Sequence, residues 1–394
     1  MNSPKAAGVA PLIDWPAQPH VIPREIFDRE DVYQAELERI FKGPVWIPVA
    51  HNAELPNPHD FKTSEIGGVP IVITRDSAGA VHVFRNACSH RGTQLVTRGF
   101  GHAPAHECPY HRWVFDSAGR LQTCPGEEDF HEDFKHENFV LSRIRCESVF
   151  GLIFATLSPA TVPLQEFLSE PIIDTMKVAL GGDGRLTLLG YQKVMFDTNW
   201  KAYMDNDGWH APMLHSAFRL LDWTGGKGDI VCTENGHRSV RYQINAGKNL
   251  SFLKDPSVVQ YRGNPKESGL GVIPNLFPIT NMSRQMDIMT LRYAWPRGVD
   301  RTEVHWTYFA HQDDDAELLK HRIGQSANVL GPSGMINLED GAVFNRLQRG
   351  AGTGGENYFL KGVHHGSDPL TYSTQSDELA NIVWWNAYRQ MMGF

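Results

Sequence analysis

The sequence predicts an α+β chain in three stretches: a helical lead-in, a small all-β domain, and a larger domain in which an antiparallel sheet is flanked by helices. Three observations predict it. Residues 44–158 break into short runs rich in Val, Ile and Phe, separated by turn residues. Residues 159–394 alternate longer strand patterns with helical ones. Residues 1–43 hold one helical repeat, expected to pack on the larger domain.

In the lead-in, Asp28 is placed to cap a helix in which Tyr33, Leu37, Ile40 and Phe41 recur at helical spacing, and Gly43-Pro44 ends it. Residues 45–49, 69–74, 81–85 and 150–157 then read as strands. Asp76-Ser77-Ala78-Gly79 and Asp116-Ser117-Ala118-Gly119 lie between such runs and read as hairpin turns, each Gly supplying a positive φ. In the larger domain, residues 186–196, 230–243, 288–295 and 302–310 read as strands. Residues 164–179, 314–330, 337–347 and 374–392 read as helices.

Hydrophobic residues make up 41% of the 394 and charged residues 21%, the balance of an ordinary globular protein. The formal net charge of −8 is spread without basic runs, which argues against nucleic acid as a partner. Residues 1–19 lack the basic start and apolar stretch of a secretory signal, and no segment reaches the roughly 18 apolar residues of a membrane span; a cytoplasmic protein is expected. Five cysteines at uneven spacing make no disulfide framework. Metal binding is therefore the question to ask of them and of the 18 histidines. Cys124, Cys146 and Cys232 belong to no partner motif and read as buried or half-buried thiols.

The other two cysteines stand in Cys88-Ser89-His90 and Cys108-Pro109-Tyr110-His111. Two Cys and two His on two tight loops can close a tetrahedral site, and zinc satisfies that set. The order of ligands favours iron and sulfur instead. Each loop supplies one thiolate and one imidazole, so each can give a Cys to one iron and a His to the other, as in a Rieske 2Fe-2S centre.

A second constellation follows Asn199-Trp200-Lys201: Asp207-Gly208-Trp209-His210, then His215. On a regular helix two residues five apart point about 140° away from each other. Pro212, however, has no N–H for the carbonyl of Gly208 and its ring crowds that carbonyl, so the helix is distorted and both imidazoles can converge on one metal. Asp207 has three readings: a ligand, a partner orienting an imidazole, or a solvated carboxylate. Nearer the C-terminus, Glu339-Asp340-Gly341 lies between Gly331-Pro332-Ser333-Gly334 and Gln348-Arg349-Gly350. An acidic pair near a helix start more often stabilises the helix dipole than binds metal.

Cys88-Ser89-His90-Arg91-Gly92 and Cys108-Pro109-Tyr110-His111, followed by Trp113, Phe115, Asp116 and Gly119, resemble the Rieske domain of aromatic-ring-hydroxylating oxygenases. Arg112 departs from it, standing where relatives usually carry a small residue. The second constellation resembles the same family's mononuclear iron motif, with Trp209 where Tyr is more usual. The resemblance runs from about Pro44 to the C-terminus and is nearest to large (α) subunits acting on aromatic acids such as salicylate, benzoate, anthranilate or terephthalate.

That resemblance implies a Rieske domain over 44–158 and a catalytic domain over 159–394. It implies a 2Fe-2S cluster held by Cys88, His90, Cys108 and His111, and a mononuclear Fe(II) held by His210, His215 and Asp340, with Glu339 as the alternative carboxylate. Asp207 would bridge across a subunit boundary to a Rieske His. The implied assembly is a trimer of α subunits, commonly with a small β subunit as α3β3. The implied reaction hydroxylates an aromatic ring with O₂, by dioxygenation or, as in O-demethylases, monooxygenation.

Two further readings concern partners. No Gly-rich dinucleotide fingerprint is present, so electrons from NAD(P)H must arrive through a separate reductase or ferredoxin. Arg292 is the single charge in an apolar strand, where it can meet a substrate carboxylate, meet a structural partner, or snorkel to solvent. Terephthalate-type relatives carry Arg at the matching position. Ile382, Val383 and Trp384 stand where a dicarboxylate enzyme would hold a second cation, which points to a monocarboxylate.

Iron and acid-labile sulfide, quantified on anaerobically purified protein with the EPR spectrum of its dithionite-reduced form, should read about three irons to two sulfides with an average g near 1.9. About two irons to two sulfides would leave an electron-transfer protein; zinc with a silent spectrum would leave a colourless zinc-stabilised binding protein.

Overall fold

The computed structural model describes residues 12–206, 216, 219, 228–243, 250–264, 269–364, 370, 373–374 and 377–394. Contacts divide the chain into a β-rich unit, Phe41–Leu189 with Phe309–Asp314, and a larger unit, Met1–Ile40, Gly190–Tyr308 and Asp315–Phe394.

The lead-in carries β1 (Val21–Pro23) and α1 (Glu30–Glu36), the latter continued by a π-turn over Leu37–Phe41. Asp28 is not the cap expected of it; Arg29 holds that position and makes no side-chain cap. The buried face also differs from the expected one. Val32, Glu36, Ile40 and Phe41 point inward, whereas Tyr33 and Leu37 are only half-buried.

The β-rich unit contains β2 (Ile47–His51), β3 (Asp60–Ile66), β4 (Val69–Arg75), β5 (Val81–Arg85), β6 (Phe100–His102), β7 (Ala105–Glu107), β8 (Val114–Asp116), β9 (Leu121–Thr123), β10 (Arg143–Val149) and β11 (Leu152–Thr156). Seven of these form one sheet in the order β2-β11-β10-β5-β4-β3-β6, and β7-β8-β9 form a second. Both expected hairpin turns are present, with Gly79 and Gly119 at φ of 88° and 80°. Residues 164–179 are two helices, α2 (Leu164–Leu168) and α3 (Glu170–Ala179), because Pro171 cannot donate to Phe167 and would crowd its carbonyl. The unit thus extends past residue 158: Trp46 donates to the carbonyl of Val162, Arg145 to that of Thr161, and the N–H of Leu164 to Glu147.

The larger unit is built on an eight-stranded sheet. Its strands are β12 (Leu186–Phe196), β13 (Gly228–Cys232), β14 (Arg238–Gln243), β15 (Leu270–Leu276), β16 (Thr280–Gln285), β17 (Ile288–Gly298), β18 (Arg301–His311) and β20 (Ser373–Thr374); β19 (Glu356–Tyr358) pairs with β1 instead. Residues 230–243, expected as one strand, are a hairpin. Asn235-Gly236, with Gly236 at φ 82°, turns the chain there, a signal present in the sequence. The helices are α4 (Trp200–Met204), α5 (Ala316–Gln325), α6 (Asn337–Ala351) and α7 (Leu379–Met392). Among the described residues, no helix is long and apolar enough to cross a membrane.

One carboxylate ties three of these elements together. Glu36 of α1 is fully buried; its Oε1 accepts from Lys201 Nζ at 2.6 Å and from the Tyr388 hydroxyl at 2.5 Å, and its Oε2 accepts from Trp200 Nε1 at 2.7 Å. Burial pulls the Lys201 ammonium below its ordinary range while the Glu36 charge pulls the other way. Burial and the same charge hold the Tyr388 hydroxyl well above its own. Around the pair, Trp384 stacks on Tyr388 at 5.9 Å between ring centroids, and Trp200 meets Trp384 edge-on at 5.6 Å.

Removing one member of such a pair strands a buried charge, so Glu36→Gln should lower the unfolding free energy by about 3–5 kcal/mol in urea titration. The double change Glu36→Leu with Lys201→Met should recover much of that loss; equal destabilisation by single and double changes would count against the pair as the cause.

Candidate functional site

The two Cys-His loops fold alike. In the first, the Cys88 N–H donates to the Thr93 carbonyl at 2.8 Å and the Gly92 N–H to the Cys88 carbonyl at 2.9 Å. In the second, the Cys108 N–H donates to the Trp113 carbonyl at 2.8 Å and the Arg112 N–H to the Cys108 carbonyl at 3.0 Å. Gly92 and Arg112, both four residues after their Cys, are left-handed at φ 75° and 64°. A side chain there is strained, which is the physical reason for a small residue. Arg112 turns outward and pairs with Glu107.

These loops bring the four candidate ligands together. Cys88 and Cys108 are 4% and 1% exposed, whereas His90 lies at the surface and His111 is half-buried. The His90 and His111 rings are 4.6 Å apart, and Trp113 stacks flat on His90, also at 4.6 Å. Burial raises the Cys88 thiol above its usual range, and the neighbouring Cys108 raises it further, partly offset by the His90 backbone N–H. Burial, with the charges of His111 and Arg91, lowers the His90 imidazole and so favours its neutral form. Two adjacent buried sulfurs and two neighbouring imidazoles on the outer side fit the donor set of a Rieske cluster.

Asp207, His210 and His215, the other candidates, lie outside the described residues. What the structure gives is the anchorage on either side of them. Before them, Asp205 Oδ1 accepts from Asn381 Nδ2 at 2.9 Å and from Trp385 Nε1 at 3.0 Å, both on α7. After them, the Ser216 N–H donates to both carboxylate oxygens of Glu339 at 3.0 Å. Asn199 starts α4 by accepting from the Lys201 N–H, while its amide donates to the carbonyls of Phe27 and Val299.

Glu339 and Asp340 therefore do different things. Consecutive helical residues point about 100° apart. Glu339 holds the backbone next to position 215, while Asp340, 8% exposed, lines a cavity with Tyr203, Asn206, Asn281, Arg292 and Trp306. Phe196 and Phe344 supply further apolar wall. Arg292, opposite Asn281 in the sheet register, donates to the Tyr203 hydroxyl. Burial raises the Tyr203 pKa, Arg292 opposes that, and Asp340 adds to it. Arg292 Nε, Asn281 Oδ1 and Trp306 Nε1 have no hydrogen-bond partner among the described residues. Such buried groups usually mark a place where a ligand or water completes the bonding. Sequence spacing did not reveal Tyr203 on α4, Asn206 just beyond its end, and Asn281 on β16.

Residues 45–139 match the family described as Rieske [2Fe-2S] domain, and residues 183–379 match the ring hydroxylating alpha subunit (catalytic domain). The chain is 31% identical to the large subunit of anthranilate 1,2-dioxygenase of Burkholderia cepacia, over 95% of this chain and 93% of that one. It is 28% identical to the alpha 2 subunit of the terminal oxygenase component of terephthalate 1,2-dioxygenase of Comamonas sp, over 97% and 98%. Among solved structures, naphthalene 1,2-dioxygenase from Rhodococcus sp. bound to indole superposes with a TM-score of 0.82 at 22% identity, covering 94% of each chain.

Asp340→Ala should remove the mononuclear metal and all turnover while leaving the cluster's EPR spectrum intact. Glu339→Ala should keep the metal but weaken its binding by about 10- to 100-fold, the usual effect of losing a group that orients a ligand. The reverse pattern in metal analysis of the two variants would exchange their roles.

Proposed function

The chain belongs to the family of Rieske non-haem iron oxygenases, as a ring-hydroxylating α subunit with a 2Fe-2S cluster and a mononuclear iron, and on that premise we propose that its substrate is an aromatic monocarboxylate anchored by Arg292. The observation that carries this reading is the shared cavity. Arg292, with one N–H unpartnered among the described residues, and Asp340 line the same space, beside Phe196, Trp306 and Phe344. A guanidinium is built for planar carboxylate recognition, and aromatic walls favour a ring.

In this reading Cys88, His90, Cys108 and His111 hold the cluster, and His210, His215 and Asp340 hold the iron. When bound, these groups supply single electrons and open coordination positions for O₂. The chain's own part is to place the substrate. Tyr203 accepts from Arg292 and keeps the guanidinium aimed; Arg292 fixes the carboxylate; the aromatic wall excludes water from the ring's faces. The amides of Asn206 and Asn281 offer hydrogen bonds to a ring substituent. Ile382 and Val383 on α7 are buried and apolar, which suits one carboxylate better than two.

Electrons come from separate partner proteins, and we assign the approach side to His90, the exposed member of the four. An NAD(P)H-dependent reductase, with or without a ferredoxin, is the proposed source. The proposed assembly is α3 or α3β3, in which Asp207 bridges to a cluster histidine of the neighbouring subunit. The activities for which the anthranilate, terephthalate and toluate 1,2-dioxygenase relatives are named favour an aromatic acid.

Steady-state assays of Arg292→Gln with benzoate-class substrates test the anchor. KM should rise by roughly 10- to 150-fold, the worth of one charged hydrogen bond at about 1.5–3 kcal/mol. An unchanged KM would assign Arg292 a structural role, with Tyr203 as its partner.

A further inference from the structure

Cys124, an isolated thiol by its sequence context, has two neighbours in the fold. Its Sγ lies 3.6 Å from Glu127 Oε2, and His136 Nε2 lies 2.9 Å from Glu127 Oε1. The three donor atoms all fall within 4.8 Å of one another. We propose that Cys124, Glu127 and His136 form a binding site for one Zn²⁺ ion on the β-rich unit, separate from the four cluster ligands.

The donor chemistry suits zinc. A thiolate, an imidazole and a carboxylate are its three usual protein ligands, and three of them with a water make an open tetrahedral site. Zinc–ligand bonds of about 2.0–2.3 Å place neighbouring donors roughly 3.3–3.7 Å apart. The sulfur lies 3.6 Å from one Glu127 oxygen and the imidazole 2.9 Å from the other, so a small rotation of the carboxylate would present a single oxygen to both, and donor atoms now within 4.8 Å of one another would close by roughly an ångström. Access is provided too: the Glu127 and His136 side chains are 47% and 34% exposed, so the ion and its water can enter from solvent.

Local backbone makes the convergence. Gly126, left-handed at φ 73°, starts a short 3-10 turn over Glu127–Asp129 and returns Glu127 toward Cys124. Without an ion the thiol keeps its proton, because burial and then the Glu127 charge push it up to about 11. Binding would release that proton to solvent as the sulfur–metal bond forms.

The site has a place in the unit's architecture. Phe134 packs against His136 at 5.6 Å and against Trp113 at 5.9 Å, and Trp113 stacks on His90. An ion joining residues 124 and 136 would therefore staple the segment whose aromatic rings cover the cluster loops.

The test uses the holoenzyme, with its iron and sulfide quantified, titrated with ZnCl₂ in a calorimeter. In parallel, iodoacetamide alkylation of each cysteine is mapped by mass spectrometry with and without zinc. One zinc per chain that shields Cys124, leaving Cys146 and Cys232 unchanged, is expected. Cys124→Ser and His136→Gln should each weaken that event by more than about 100-fold, beyond the effect of losing a group that only orients a ligand. Glu127→Gln, at an exposed position, carries the same expectation where Cys124→Ser does not fold. Zinc that leaves Cys124 as reactive as before, or that binds the variants as it binds the native chain, overturns the proposal; uptake at the mononuclear iron site would give that second result.

Discussion

The larger unit depends on a carboxylate that no solvent reaches. Glu36 takes hydrogen bonds from Lys201, Trp200 and Tyr388, and so joins the lead-in, the start of α4 and the last helix at one point. A buried ion pair is weak evidence of net stability, because desolvation offsets most of the Coulomb attraction. Its stronger effect is on geometry. A charge in so apolar a place has one satisfactory arrangement, and Lys201 cannot leave it without abandoning the pair. The direction in which α4 delivers Asp205 and Asn206 follows from that restriction.

The β-rich unit solves a different problem with repetition. Two loops with the same hydrogen-bond pattern each offer a buried sulfur and an outer imidazole, so one folding solution would serve both halves of the proposed cluster site. Thiols in an apolar interior stay protonated, and thiolates need a cation. In the proposed site, loop formation and cluster binding would thereby be coupled: the polypeptide preforms the cradle, and the metal would supply the charge that makes the buried sulfurs tolerable.

Much of this was legible in the sequence because it is written locally. Cys-x-His and Cys-x-x-His, the turns at Gly79 and Gly119, and strands such as Leu186–Phe196 all declare themselves within a dozen residues. The hairpin at Asn235-Gly236 was legible too, but a continuous run of strand-forming residues masked it. Other features depend on tertiary partners and leave no local trace. Glu36 turns inward four residues after buried Val32, on the same helix face, yet nothing in its neighbours announces a buried acid. Likewise, residue spacing alone did not separate Glu339 from Asp340; only the family resemblance preferred Asp340 as the ligand. Their roles diverge because Ser216 happens to lie beside one and the Arg292 cavity beside the other. Tyr203 could only be found once β17 and α4 were brought together.

The spacing of the contacts around the two centres has a consequence for biosynthesis. The loops of the first centre close over residues 88 to 113, so they can be formed while most of the chain is still unmade. Asp205 and Ser216, which flank the proposed iron ligands, are braced by Asn381, Trp385 and Glu339, lying 176, 180 and 123 residues beyond the groups they hold. Contacts of such range wait for the whole polypeptide to emerge. During synthesis the two Cys-His loops can therefore close before the contacts that brace residues 205 and 216 exist, so the two halves of the chain reach their final form in sequence order.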